Sequence, residues 1–203
     1  MCGRLLPCGG KSKPGPLRLP QIRAHWIMAG TVSHLIRKGC EHDAARIAEI
    51  HVKTWQVAYR GQVPDAYLDA LDPVRRAVVW KRLLSSPGET VLVALRESRI
   101  VGFCDVLRSR DSAAPPEVAE IASIYVEPEA WGTGAGAGLM AAAIGQLREQ
   151  GFSILTLWVL STNGRARRFY EKAGFAPDGA EQTDQRHGFP LHELRYRREI
   201  NVR

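Results

Sequence analysis

Residues 131–138 of this 203-residue chain read Trp-Gly-Thr-Gly-Ala-Gly-Ala-Gly, four glycines alternating with other residues. A strand-like apolar run, Ile121 to Val126, precedes them, and a helix-like run, Leu139 to Gln150, follows. A strand, a glycine turn and a helix start gather free backbone N–H groups at the positive end of a helix dipole, which is a site for phosphate. Glycine permits positive φ and close approach of the backbone to a ligand. The chain is therefore expected to hold a phosphorylated cofactor.

Three phosphate-binding patterns compete for this segment. A P-loop needs Lys and then Ser or Thr after the last glycine, but Gly138 is followed by Leu139 and Met140. A dinucleotide fingerprint fits Gly132-x-Gly134-x-x-Ala137 loosely. It wants its glycines directly after the strand and an acid about 20 residues on. Here Glu127-Pro128-Glu129-Ala130 intervenes, and the next apolar run, Ile154 to Leu160, ends in Ser161-Thr162-Asn163. The third pattern is a strand, a proline, a short spacer and then Gln/Arg-x-x-Gly-x-Gly/Ala leading into a helix. Residues 121–140 fit it, with Gly134 and Gly136 as its two glycines.

A second segment, Asn163-Gly164-Arg165-Ala166-Arg167-Arg168-Phe169-Tyr170-Glu171-Lys172-Ala173-Gly174-Phe175, follows the pattern N-x-x-A-x-x-F-Y-x-x-x-G-F. With the glycine segment, in that order and at that distance, the chain resembles the GNAT superfamily of N-acetyltransferases, within a bacterial subgroup poorly resolved by substrate. The resemblance covers about residues 32–200. It implies a mixed α/β fold, a central, mostly antiparallel twisted sheet flanked by helices, and acetyl-CoA as co-substrate with no metal. The acceptor is expected to be a primary amine, on a small molecule or a peptide, acetylated directly in a ternary complex. The alternative is a non-catalytic acyl-CoA-binding sensor or interaction module.

Acetyl transfer to an amine requires a deprotonated amine, a polarised carbonyl and a proton for the departing thiolate. No Cys/His or Ser/His pairing in the sequence suggests a covalent intermediate. The resemblance implies Tyr170 as the acid near the sulfur. One of Phe169 and Tyr170 must face the core of their amphipathic helix, and Phe169 is taken as that residue, the alternative being Tyr170 as a core aromatic. Glu120, at the start of the strand that feeds the loop, is the candidate base. A solvated strand-end charge is an equal reading of it, and Glu117 stands in reserve. His34 and His51 also titrate in the useful range, though a lone histidine is more often packing. For the cofactor, the resemblance implies that Ile124, Tyr125 and Val126 offer backbone to the pantetheine arm. Trp131, Gly132, Thr133, Gly134, Ala135, Gly136 and Ala137 would cradle the pyrophosphate. Asn163 is either a cofactor contact or simply an N-cap, and Arg167 or Arg168 would reach the phosphates. One departure stands out: the family prefers Gln or Arg where this chain has Trp131, which supplies no cation. Trp55 and Tyr59, four apart on one helical face, are candidates for an acceptor wall.

The elements that must position these residues follow from periodicity and breakers. The sequence predicts strands at Thr31–Arg37, 90–95, 100–107, 118–126 and 154–160, with two more near 175 and at 191–198. Glu97-Ser98 joins the second and third as a hairpin. Helices are predicted over 43–59, 66–71, 74–84, 139–150 and 163–173, and residues 178–190, with Asp184, Arg186 and His187, form a polar loop. Alternation of helices and strands points to a mixed α/β sheet.

Composition bounds the partners. The formal net charge is +7, but residues 1–30 hold five basic residues and no acid, so 7 less 5 leaves +2 for residues 31–203. The folded part gives no reason to expect nucleic acid, and no apolar run suggests a membrane span. Residues 1–30, rich in Pro and Gly, are expected to be a disordered basic extension, with one acetyltransferase domain over 31–203. Four cysteines without a C-x-x-C pair suggest reduced thiols in the cytoplasm, and Cys104, inside an apolar strand, reads as buried and inert. Either a monomer or a homodimer is compatible with the sequence.

Overall fold

The computed structural model describes residues 34–185 and 187–200. The expected basic extension, Thr31 to Ser33 and Arg186 lie outside the described residues. Five α-helices are described: α1 (Ala44–Ala58), α2 (Asp65–Asp69), α3 (Pro73–Leu84), α4 (Ala135–Glu149) and α5 (Gly164–Lys172). Seven strands are described: β1 (Leu35–Lys38), β2 (Thr90–Arg96), β3 (Arg99–Arg108), β4 (Val118–Val126), β5 (Ile154–Leu160), β6 (Ala176–Asp184) and β7 (Leu191–Glu199). They form one sheet in the order β1-β2-β3-β4-β5-β7-β6. Only β4 and β5 run parallel; the other neighbours are antiparallel.

Strand alternation sorts the core into two faces. Val91 and Val93 of β2 pack with Ile47, Ile50 and Trp80 from α1 and α3. Their neighbours Leu92 and Ala94 pack on the other face with Leu139, Met140, Ala143 and Leu147 of α4 and with Tyr170 of α5. The sheet is thus a middle layer between two layers of helices, as the mixed α/β reading expects. The β2–β3 turn falls at Glu97 and Ser98, both at positive φ (50° and 66°), the backbone twist that a two-residue hairpin needs.

The feature that builds the site is a split in this sheet. β4 and β5 pair only from Val118↔Ile154 to Ile121↔Leu157. Beyond that, β4 stays with β3 (Ser123↔Asp105 to Val126↔Gly102) and β5 stays with β7 (Trp158↔Arg195 to Leu160↔Glu193). The register of β4 on β3 slips at this point, so Ala122 is bypassed between Ile121 and Ser123. A bulge bends the strand that carries it, and it lies where the two strands part.

Two sequence expectations need correction. Residues 178–184 are strand, not loop: β6 is an edge strand with mostly exposed side chains and an irregular register between Pro177 and Glu181, so it lacks apolar alternation. Helix α4 begins at Ala135, four residues before Leu139, because Gly136 and Gly138 already belong to its first turn.

Candidate active site

The gap between β4 and β5 opens into a cleft of about 1030 Å³. Along one wall runs the free edge of β4. The Val126 carbonyl accepts from Thr54 Oγ1 (3.2 Å) and Trp131 Nε1 (2.6 Å), so it points away from β3. By antiparallel alternation, the N–H and C=O of Ile124 face the same edge, where β5 no longer pairs. An extended ligand amide can bond there as a missing strand would.

At one end of the cleft the chain turns through Gly132 (φ 78°) and Gly134 (φ 95°). Side chains avoid this conformation. A Cβ placed on either glycine would meet nothing within 4 Å, so the turn leaves open space over its backbone. Gly134 is the N-cap of α4, whose first internal bond runs from Gly138 N to Gly134 O at 2.9 Å. The amides of Ala135, Gly136 and Ala137 therefore have no helical partner, and the cradle fits a diphosphate. Glu127 anchors the approach to this turn: it is buried and holds the guanidinium groups of Arg46 and Arg99.

Tyr170 lines the opposite wall from α5, buried among Phe169, Phe175 and Tyr196. Burial, with Tyr125 and Cys104 nearby, raises its pKa well above the usual phenol value, so it stays protonated at neutral pH. Phe169 packs against the core and over Gly136, where a Cβ would lie 3.3 Å from its ring. Asn163 caps α5 by accepting from Ala166 N at 3.0 Å and also lines the cleft.

Of the expected site residues, Ile124, Tyr125, Val126, Trp131, Gly132, Gly134, Gly136, Ala137, Asn163, Tyr170, Trp55 and Tyr59 meet around this cleft. Four do not line it. Ala135 is buried in the core. Thr133 bonds back to Ala130 O and to His34. Arg167 turns to the Tyr196 hydroxyl (3.1 Å) and the Ser161 carbonyl (3.2 Å). Glu120, buried in the sheet, accepts from the Arg110 amide at 3.0 Å and from its guanidinium. The carboxylates that do line the cleft are Asp184 and Glu193. A sequence signal for Glu193 existed: it is two residues from buried Leu191 on β7 and therefore shares its face.

The other expected end of the cleft is aromatic. Trp55 packs edge-on against Tyr59 (4.9 Å between centroids) and lies 5.3 Å from His187, while Trp55 Nε1 donates to Tyr125 Oη at 2.9 Å. His187 bonds Tyr67 Oη at 2.7 Å. His51 sits behind this wall among Trp55, Trp80, Phe103 and Tyr125, with neither ring nitrogen hydrogen-bonded. Burial, with Arg76 and His187, pushes its pKa down to about 3, so it is a neutral packing residue. Cys104 is fully buried and its thiol pKa is raised by burial, which suits an inert thiol.

Comparison with known proteins gives consistent relatives. The pattern of the acetyltransferase (GNAT) family matches residues 44–175. An uncharacterized N-acetyltransferase of Archaeoglobus fulgidus is 35% identical over 137 residues, covering 66% of this chain and 88% of that protein. Another from Mycobacterium tuberculosis is 30% identical over 138 residues, covering 68% and 85%. Among solved structures, the PaiA N-acetyltransferase of Thermoplasma acidophilum in complex with coenzyme A superposes with a TM-score of 0.67 at 20% identity, over 82% of this chain and 99% of that one.

Proposed function

This chain belongs to the acetyltransferase (GNAT) family, and from that premise we propose that it acetylates a primary amine with acetyl-CoA by direct transfer in a ternary complex. The single observation that carries this reading is the split between β4 and β5, with an open glycine cradle at one end and a protonated Tyr170 on the facing wall. The amides of Gly136 and Ala137 would hold the diphosphate, and the free edge at Ile124 would align the pantetheine arm. Bound acetyl-CoA supplies an acetyl carbon activated as a thioester.

The residues then have separable tasks. The amine nitrogen forms a bond to the acetyl carbon and the carbon–sulfur bond breaks. Tyr170 gives its phenolic proton to the leaving sulfur. The proton lost by the amine leaves toward the carboxylates that face the cleft, Asp184 and Glu193, rather than toward Glu120, whose carboxylate Arg110 holds. Trp55 and Tyr59 would form the wall against which the body of the acceptor lies.

Thiol release from acetyl-CoA, measured over a panel of small amines and peptides, tests the reading. Wild type should turn over at least one amine, and Tyr170→Phe should lose about 100-fold or more in kcat, the usual scale of a lost proton donor. Binding of acetyl-CoA without thiol release for any amine would favour the non-catalytic sensor instead.

A further inference from the structure

We propose that Arg165, seated on the face of Trp131, supplies the cation that holds the cofactor diphosphate; the inference rests on the acetyl-CoA reading above. Position 131 opens the glycine cradle, and an indole there offers no charge. The structure gives this tryptophan another task. Its Nε1 donates to the Val126 carbonyl at 2.6 Å, which fixes the plane of the ring. The Arg165 guanidinium carbon then lies 3.2 Å from the ring centroid, the stacking that a planar, weakly hydrated guanidinium favours. Trp131 belongs to the loop before α4 and Arg165 to the first turn of α5, so the stack bridges the two walls of the cleft, and both residues line it.

The surroundings of Arg165 favour an anion beside it. Some arginines, such as Arg37, Arg46, Arg60, Arg99, Arg110 and Arg195, pair with carboxylates and others do not; what marks Arg165 is its place on the Trp131 face inside the cleft. Arg165 makes no carboxylate ion pair among the described residues, and burial lowers its pKa. It also sits at the N-terminal end of α5, where the helix dipole disfavours a cation. A phosphate placed between Arg165 and the α4 amides would neutralise this charge and accept from both. The planar fork of arginine suits a bidentate contact with phosphate oxygens. In this chain the positive charge stands on the facing helix rather than in the loop, and Trp131 is the platform that delivers it.

Titration calorimetry with acetyl-CoA tests this, with the melting temperature of each ligand-free variant recorded alongside. Arg165→Ala should weaken binding about 10- to 100-fold, the scale of one charge-assisted hydrogen-bonding group. Arg168→Ala, on the same helix, should cost less. Adding Trp131→Arg to Arg165→Ala returns a cation to the loop and should recover most of the affinity, a rescue that a merely structural role for Arg165 would not give. Unchanged affinity in Arg165→Ala, an equal loss in Arg168→Ala, or no rescue by Trp131→Arg would each overturn the proposal. Wild-type protein that binds no acetyl-CoA would overturn the cofactor reading along with it.

Discussion

Two buried side chains carry opposite pH signatures. His51 is held neutral, its pKa lowered from 6.5 to about 3. As pH falls below 6.5, the unfolded chain takes a proton that the folded chain refuses, so stability drops by up to about 1.4 kcal/mol per pH unit until about pH 3. Asp105 behaves in the opposite sense. Burial, with Glu89 and Glu120 nearby, raises its pKa from 3.8 to about 7. The folded state keeps a proton that the unfolded state releases, and stability drops as pH rises through that window. The two slopes oppose, so a single variant separates them. In His51→Leu, which also removes two buried nitrogens without partners, chemical denaturation should show a gain over wild type that grows from pH 7 to pH 5. A constant difference across that range would mean that His51 takes up its proton alike in the folded and unfolded states. Sequence alone could not separate this packing role from catalysis, because the aromatic shell around His51 comes from α1, α3, β3 and β4 and exists only once they pack.

At the scale of elements, the cleft depends on where β4 ends. Gly102 on β3 lies under that end: a Cβ there would come within 2.9 Å of both the Tyr125 carbonyl and Val126 Cγ2. Gly102→Ala should displace the strand edge offered to the cofactor, costing about 1–3 kcal/mol of stability and lowering acetyl-CoA affinity; denaturant titration and calorimetry read the two effects. At Gly134, with φ at 95° and open space around it, the Ala variant meets no clash but carries backbone strain of about 1–2 kcal/mol. Most of β2 to β5 and α1 was legible from periodicity and breakers, because apolar residues there repeat at the spacing of the element. The start of α4 was not, since glycines carry no hydrophobic period. Nor was β6, whose polar side chains lie on a sheet edge and resemble a loop.

For the whole molecule, the two motif segments gave the family and the order of the site, with the glycine turn and Tyr170 facing each other across one cleft. What sequence spacing did not convey was direction. Arg165, Arg167 and Arg168 are near neighbours on α5, yet Arg165 stacks on Trp131 while Arg167 turns to Tyr196. Glu120 and Glu193 are both strand carboxylates, but only Glu193 lines the cleft. Such choices are set by helical phase and by the split of the sheet, which are tertiary facts. The split also predicts a ligand response of the folded unit, because a cofactor that joins β4 to α4 and α5 stabilises only the native state. Thermal unfolding with and without acetyl-CoA, with NADH as the control, is the most direct test. Acetyl-CoA at about 100 times its dissociation constant should add about 2.7 kcal/mol and raise the melting temperature by several degrees, about 2–4 °C per kcal/mol for a domain of this size, while NADH leaves it unchanged. No shift with acetyl-CoA, or an equal shift with NADH, would contradict the account.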